Sequence, residues 1–196
     1  MGGTTDGTTG GTAPRPRSTG PAVVLVGPPG AGKTTVGALL AERLGVTLRD
    51  TDADVERVAG KPIPDIFLTD GEPRFRELER EAVRVAVAEH TGVLSLGGGA
   101  VMDEGTRKLL AGLPVVFLDV ALADAVKRVG LDGARPLLAV NPRQQWRRLM
   151  EQRRPLYEEV ARAVVPTHDR TPDEVAAAVL DALRPDAHTD DHPGES

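Results

Sequence analysis

The chain has 196 residues, of which 40% are hydrophobic and 27% are charged, a composition typical of one globular domain. Its net charge of −5 and its 3% aromatic content provide neither a basic surface nor stacking rings, which argues against nucleic acid as a partner. Because the chain has no cysteine, disulfides, cysteine-ligated zinc, iron–sulfur clusters and thiol catalysis are excluded.

Both ends of the sequence are polar. Residues 1–20 are mostly Gly, Thr, Pro, Ser and Arg, and residues 186–196 are rich in acidic side chains. Such segments bury too little apolar surface to offset the entropy lost on ordering. We therefore expect a disordered leader and a disordered acidic tail around one domain at 21–185. The sequence contains neither an apolar signal segment nor a membrane-spanning run, which predicts a cytoplasmic protein without a membrane partner.

Between the two ends, short apolar runs alternate with longer segments of helical period, the pattern of a parallel sheet covered on both faces. Strands are predicted at 22–26, 46–49, 93–96, 115–118 and 163–165. Helices are predicted up to Gly45 and near 72–90, 104–111, 122–129, 143–153 and 173–183. The Gly- and Pro-punctuated segment 130–142 is expected to be a mobile loop between two helices. The predicted class is α/β.

The strongest motif joins the first strand to its helix. Residues 27–34 read GPPGAGKT and match the phosphate-binding pattern G-x-x-x-x-G-K-S/T. Glycines let the backbone wrap a phosphate with its N–H groups pointing inward, and the helix N-terminus adds positive potential. In such a loop Lys33 reaches the transferring phosphate and Thr34 ligates Mg²⁺. The alternative, a glycine-rich turn without a ligand, is disfavoured by the strand and helix that flank the motif. A nucleotide site alone does not name the reaction.

Two further features follow predicted strands. Asp50 and Asp52 would project to the same side of an extended chain and face the ligand crevice, or else Asp52 caps the next helix. Gly97, Gly98 and Gly99 come directly after the third strand. They either let backbone N–H groups approach an anionic or hydroxylated ligand, or they form only a tight turn. The residues alone leave both pairs of alternatives open.

Taken together, the motifs resemble the shikimate kinase family. The matching pieces are GPPGAGKT at 27–34, DTD at 50–52, DIF at 65–67, GE at 71–72, FRELE at 75–79, LGGGAV at 96–101, RPLL at 135–138 and RRPLY at 153–157. They follow the family's order and cover nearly all of residues 21–184. The resemblance implies ATP-dependent phosphorylation of the 3-hydroxyl of shikimate, a step toward chorismate and the aromatic amino acids. It also implies a monomeric, three-layer P-loop kinase with a five-stranded parallel sheet, helices on both faces and a mobile lid at about 130–142.

The resemblance assigns roles to single residues. The implied catalytic residues are Lys33, Asp52, which holds the attacking hydroxyl or acts as its base, and Arg135, the arginine of the lid. The implied ATP contacts are Gly30, Ala31, Gly32, Lys33, Thr34, Thr35, Arg128, Arg135 and Arg170. The implied shikimate contacts are Asp52, Arg76, Gly97, Gly98, Gly99 and Arg153, with the two arginines on the carboxylate. Thr34 and, through water, Asp50 would hold Mg²⁺.

Some of these positions have simpler interpretations. Arg76 could form only a surface ion pair with Glu72 or Glu79. A search by pattern would choose Asp119, after an apolar strand, as the magnesium residue. The resemblance instead places Ser95 on the corresponding strand, and Asp119 is then expected to cap the following helix. A gluconate-type or nucleoside-monophosphate-type kinase is the rival enzyme, and a nucleotide-binding module without transfer activity is the rival from another class.

Overall fold

The computed structural model describes residues 20–125 and 142–184. Its parallel strands form one sheet in the order β2-β3-β1-β4-β5. They are β1 (Val23–Val26), β2 (Leu48–Asp50), β3 (Val93–Ser95), β4 (Val115–Asp119) and β5 (Ala163–Pro166). All four residues of β1 are buried, although successive side chains point to opposite faces, so both faces of the sheet are covered. The predicted α/β fold with a five-stranded parallel sheet is confirmed.

The described part of the chain contains seven helices for which both ends are defined. They are α1 (Lys33–Leu44), α2 (Thr51–Ala59), α3 (Ile63–Thr69), α4 (Gly71–Glu89), α5 (Glu104–Leu110), α6 (Pro142–Val160) and α7 (Pro172–Ala182). A 3₁₀ turn spans Ala100–Met102, and residues 122–125 are also helical. Helix α1 packs against α7, and α4 packs against α2, α3 and α5. None of the described helices combines the length and apolar character that crossing a bilayer requires.

Several predicted boundaries need correction. Strand β2 begins at Leu48 rather than at residue 46 and includes Asp50. Helix α6 continues to Val160, well past the predicted end at residue 153, although Pro155 lies inside it. The last four residues of the helix predicted at 122–129 lie outside the described residues. So do the predicted acidic tail at 186–196, the leader apart from Gly20, and the segment 130–142 apart from its last residue.

The carboxyl ends of the central strands place the functional loops side by side. Strand β1 leads into the phosphate-binding loop of residues 27–34, the P-loop, and β2 leads directly into α2. Strand β3 leads into the turn of Gly97, Gly98 and Gly99, the glycine turn. In a parallel α/β sheet this edge is where ligands bind, because the loops that follow adjacent strands form a crevice there. Large apolar side chains that are almost fully buried, including Leu25, Leu94 and Phe117, fill the core beneath this edge.

Candidate active site

The P-loop owes its shape to three glycines. Gly27, Gly30 and Gly32 have φ values of 150°, 83° and 86°, a region that side chains with a Cβ rarely adopt. A Cβ at Gly27 would also lie 2.8 Å from the carbonyl oxygen of Leu118, so β4 leaves no room for a larger residue. Gly32 caps α1 without a side chain over the helix N-terminus, where backbone N–H groups favour an anion.

Lys33 and Thr34, the two motif residues predicted to act on the nucleotide, are the first two residues of α1. The Lys33 ammonium donates hydrogen bonds to the carbonyl oxygens of Gly27 at 2.9 Å and Pro28 at 3.2 Å, so it lies over the loop. The Thr34 hydroxyl donates to the Asp50 carboxylate at 3.2 Å. A hydroxyl and a carboxylate side by side are the hard oxygen donors that suit Mg²⁺, which keeps several water and phosphate ligands. Among the described residues no group of three or more His, Cys, Asp or Glu side chains is placed to hold a metal ion.

The Asp50–Asp52 segment is not extended throughout, as one interpretation assumed, and Asp52 is not the helix cap, as the other assumed. Asp50 is the N-cap of α2, because its carboxylate accepts a hydrogen bond from the Asp52 N–H at 3.0 Å. The helix begins at Thr51, so Asp52 lies on its first turn and is neither in extended chain nor the cap. The buried Thr51 hydroxyl accepts from Gly97 N–H at 3.0 Å and donates to the Ser95 carbonyl at 3.4 Å. These bonds tie the start of α2 to the glycine turn.

The glycine turn has no side chains of its own, which leaves space for side chains of α2 and α4 to approach its backbone closely. A Cβ at Gly97 would collide with the Asp52 carboxylate and lie 3.0 Å from Glu79 Oε1. A Cβ at Gly99 would collide with the Arg76 guanidinium. Neither glycine has a positive φ, so the backbone conformation of the turn does not by itself require glycine. The turn therefore brings the Asp52 and Arg76 side chains to one place.

Glu79 is a buried acid in the middle of this group, with 5% of its side chain exposed. Arg76 donates to Glu79 at 2.6 Å and to Glu72 at 3.0 and 3.2 Å, so it pairs with both of the glutamates that the simpler interpretation offered as alternatives. Only 25% of the arginine side chain is exposed, which makes the pair with Glu79 part of the crevice rather than of the surface. Burial raises the pKa of Glu79, while the charges of Arg76 and Arg153 oppose that rise and Asp52 adds to it.

A cavity of about 250 Å³ lies beside the turn. Its walls are Arg76, Glu79, Arg80, Gly99, Met102 and Asp103. From α6, Arg153 donates to the Gly98 carbonyl oxygen at 3.1 Å, which brings a second guanidinium to the turn. A guanidinium binds a carboxylate through parallel hydrogen bonds, and a carboxylate accepts hydrogen bonds from hydroxyls. The side chains around the turn are therefore suited to a small ligand that carries a carboxylate and hydroxyls. We call this cavity the acceptor cavity.

A second cavity, of about 160 Å³, adjoins the P-loop. It is lined by Ala31, Gly32, Thr35, Val36, Thr167, Arg170, Pro172 and Val175. Arg170, which is predicted to contact the nucleotide, therefore lies in the wall of a cavity next to the P-loop. Within the described residues the buried Thr167 hydroxyl has no hydrogen-bond partner. The other two predicted nucleotide arginines, Arg128 and Arg135, lie outside the described residues.

Asp119 has a partner that the sequence did not suggest. Arg154 donates to its two carboxylate oxygens at 3.0 and 2.8 Å and lies over the Phe117 ring at 5.7 Å. The helix after β4 starts later, since the N–H groups of Asp124 and Ala125 both donate to Ala121. The prediction that Asp119 caps this helix is therefore wrong, because its carboxylate holds α6 against β4 instead.

Comparison with known proteins identifies the family of the chain. Residues 29–184 match the family model described as shikimate kinase. The chain is 64% identical to a shikimate kinase of Streptomyces avermitilis over 163 residues, which are 83% of this chain and 95% of that protein. The chain belongs to the shikimate kinase family. A solved shikimate kinase from Acinetobacter baumannii, in complex with shikimate, superposes with a TM-score of 0.80 at 38% identity, covering 85% of this chain and 94% of that one.

Membership in the shikimate kinase family makes the chain an ATP-dependent phosphotransferase, as predicted. A gluconokinase from Sinorhizobium meliloti has a TM-score of 0.53 at 18% identity, a likeness that shows the shared fold alone. The predicted family, fold and activity are confirmed, and the rival gluconate-type kinase shares only the architecture.

The structure adds to the candidate site two residues, Glu79 and Thr51, that received no role from the sequence. Glu79 is part of the matched FRELE segment, and its position three residues after Arg76 was a signal only for an ion pair. Thr51 lies between the two aspartates and joins α2 to the glycine turn. No local pattern marks Thr51, because its partner is 46 residues away along the chain.

We expect Gly99→Ala to raise the shikimate KM about tenfold while leaving the melting temperature nearly unchanged. The added methyl would occupy the space of the Arg76 guanidinium, the far end of a flexible side chain that can swing away without unfolding the protein. Steady-state kinetics and thermal unfolding measure the two effects. Gly20→Ala is the matched control, since its methyl would meet only Leu113 Cδ2 at 3.7 Å. An unchanged shikimate KM in Gly99→Ala would show that Arg76 does not need this space.

Proposed function

We propose that the acceptor cavity binds shikimate, that the P-loop holds the phosphates of ATP, and that the terminal phosphoryl group passes to the 3-hydroxyl of shikimate. The contact between the two loops carries this proposal. A Cβ at Gly98 would lie 3.3 Å from Pro29 Cδ and 3.5 Å from the Gly27 carbonyl oxygen. The glycine turn therefore packs directly on the P-loop, and a group bound at one loop is next to a group bound at the other.

On the acceptor side, the side chains match the polar groups of shikimate, which has one carboxylate and three hydroxyls. Arg76 and Arg153 are proposed to bind the carboxylate, because a planar guanidinium grips it with two parallel hydrogen bonds. Asp52 is proposed to accept from the ring hydroxyls, including the one that attacks. The main chain of Gly97, Gly98 and Gly99 is proposed to contact the same ring.

On the donor side, Gly30 to Thr35 are proposed to wrap the phosphates and Arg170 to lie on the adenine side. Thr34 and, through water, Asp50 would hold Mg²⁺, which when bound neutralises charge on the phosphate oxygens. Lys33 supplies the same kind of stabilisation from the protein. As the hydroxyl oxygen bonds to phosphorus, the bond from phosphorus to the bridging oxygen of ADP breaks, and Asp52 takes the hydroxyl proton. Arg128 and Arg135, outside the described residues, are proposed for the nucleotide.

We further propose that the kinase acts as a cytoplasmic monomer. One chain supplies all the side chains that are proposed to form the crevice. ATP is the co-substrate of the kinase. Sedimentation of the full chain tests the monomer: a dimer that is required for activity would contradict it.

A coupled assay of ADP release tests the proposed reaction, with shikimate, gluconate, AMP and CMP as alternative acceptors. We expect turnover to depend on shikimate alone. Comparable turnover with another acceptor would assign a different substrate. Binding of ATP without transfer to any of the four acceptors would instead favour a nucleotide-binding module.

Arg153→Ala is expected to raise the shikimate KM by about 10- to 100-fold with a smaller change in kcat, because a charge-assisted contact to the carboxylate is lost. Arg154→Ala is the matched control. It removes the same side chain from the adjacent position, where the guanidinium binds Asp119, so it should lower stability and leave the shikimate KM near its original value. Unchanged saturation by shikimate in Arg153→Ala would overturn the assignment of this arginine.

A further inference from the structure

Tyr157 of α6 directs its hydroxyl at the glycine turn. The hydroxyl donates to the Gly98 carbonyl oxygen at 2.6 Å, and the residue is fully buried. Its ring stacks on Phe117 with the centroids 5.0 Å apart and the planes inclined by 25°. Burial raises the pKa of Tyr157 to about 12, so the hydroxyl keeps its proton and remains a donor throughout the neutral range.

The Gly98 oxygen has a second donor. Arg153, one helical turn before Tyr157, donates to the same oxygen at 3.1 Å. In a trans peptide the N–H points away from the C=O of the same unit, so the direction of the Gly98 carbonyl fixes that of the Gly99 N–H. Gly99 lines the acceptor cavity. Helix α6 thus sets the orientation of one peptide of that cavity through two side chains.

The two donors differ in what else they can do. Arg153 is proposed to bind the substrate carboxylate, and turning its Nη1 toward that carboxylate would take this donor away from the Gly98 oxygen. Leaving this part-buried carbonyl oxygen without a donor would be unfavourable, and this would oppose the movement of the arginine. With Tyr157 in place, the oxygen keeps one hydrogen bond after the arginine has moved.

We propose that Tyr157 is a positioning residue of the acceptor site, whose hydroxyl holds the Gly98–Gly99 peptide and so releases Arg153 to the substrate. The inference rests on the proposed function of the acceptor cavity. It assigns Tyr157 no contact with substrate and no part in proton transfer, so its removal should affect shikimate binding rather than the phosphoryl-transfer step.

Tyr157→Phe deletes the hydroxyl and keeps the ring. We expect the shikimate KM to rise about fivefold, with kcat and the ATP KM changed less than twofold. In an Arg153→Ala background the same substitution should raise the shikimate KM less than twofold further, because no arginine remains to be released. Val179→Ala, a buried position on α7, is the control for a loss of stability alone and should leave the shikimate KM unchanged.

Three results would overturn the proposal. They are an unchanged shikimate KM in Tyr157→Phe, an equal rise in Val179→Ala at a matched melting temperature, and a full fivefold effect in the Arg153→Ala background. If Tyr157→Phe does not fold, the unaltered protein supplies the test, since Tyr157 is its only tyrosine. Shikimate should shift the lone ¹³Cζ resonance of tyrosine-labelled protein, and no shift at saturation would also reject the proposal. Absence of turnover in the unaltered protein would instead reject the proposed function.

Discussion

Lys33→Ala is expected to lower kcat by about 10³-fold or more. The ammonium of Lys33 lies against the P-loop carbonyls at 2.9 and 3.2 Å, within the wrap that would hold the phosphates. There it can stabilise negative charge that develops on the oxygens of the transferring phosphoryl group. Alanine removes that charge but leaves the glycines and the helix N-terminus in place. ADP release at saturating shikimate and ATP measures the effect on kcat, and calorimetry measures the affinity for ATP.

Lys108→Ala is the matched control for this substitution. Lys108 is on α5, with 74% of its side chain exposed, and pairs with Glu104 at 2.7 Å. Removing such an exposed pair costs at most about 1 kcal/mol of stability and should leave kcat unchanged. Thermal unfolding of Lys33→Ala shows whether the P-loop domain remains folded. A folded Lys33→Ala protein with a kcat within tenfold of the original would mean that Lys33 does not carry the transfer step.

The central sheet was predictable because strands buried on both faces read as continuous apolar runs. β1 and most of β4 are such runs, and their predicted positions hold. β2 is an edge strand whose three residues are all half-buried, so apolar character does not mark where it ends. Because the end of β2 was not recognised, Asp52 was expected in extended chain, whereas it lies on the first turn of α2. Helix α3 has only seven residues, too few for a helical period to stand out.

The two halves of the crevice differ in how far sequence could describe them. The P-loop is a local structure, formed by consecutive residues whose glycines dictate the backbone, and its shape follows from the motif. The acceptor half is assembled over long separations, since Thr51 and Gly97 are 46 positions apart in the chain and Tyr157 and Gly98 are 59 positions apart. Helical spacing places Glu79 beside Arg76, but only the packing around α4 decides that this pair is buried.

Asp52→Asn is the second substitution with a large expected effect, a fall in kcat of about 10²–10³-fold. The carboxylate lies on the first turn of α2, where Gly97 leaves room for it beside Glu79. Asparagine has nearly the same shape and keeps one oxygen that can accept from a ring hydroxyl, so shikimate should still bind. It cannot take the proton of the attacking hydroxyl, and it lacks the charge that favours loss of that proton.

Asp54→Asn makes the same change two residues further along α2 and serves as its control. Asp54 accepts from Arg49 at 2.6 Å and Arg57 at 2.9 Å, so its loss should lower the melting temperature without changing kcat. The split between kcat and KM then decides the role of Asp52. A fall in kcat at a nearly constant shikimate KM identifies a group that acts in the transfer step. A raised KM with kcat retained would make Asp52 a binding residue only, and the hydroxyl would then lose its proton without help from this carboxylate.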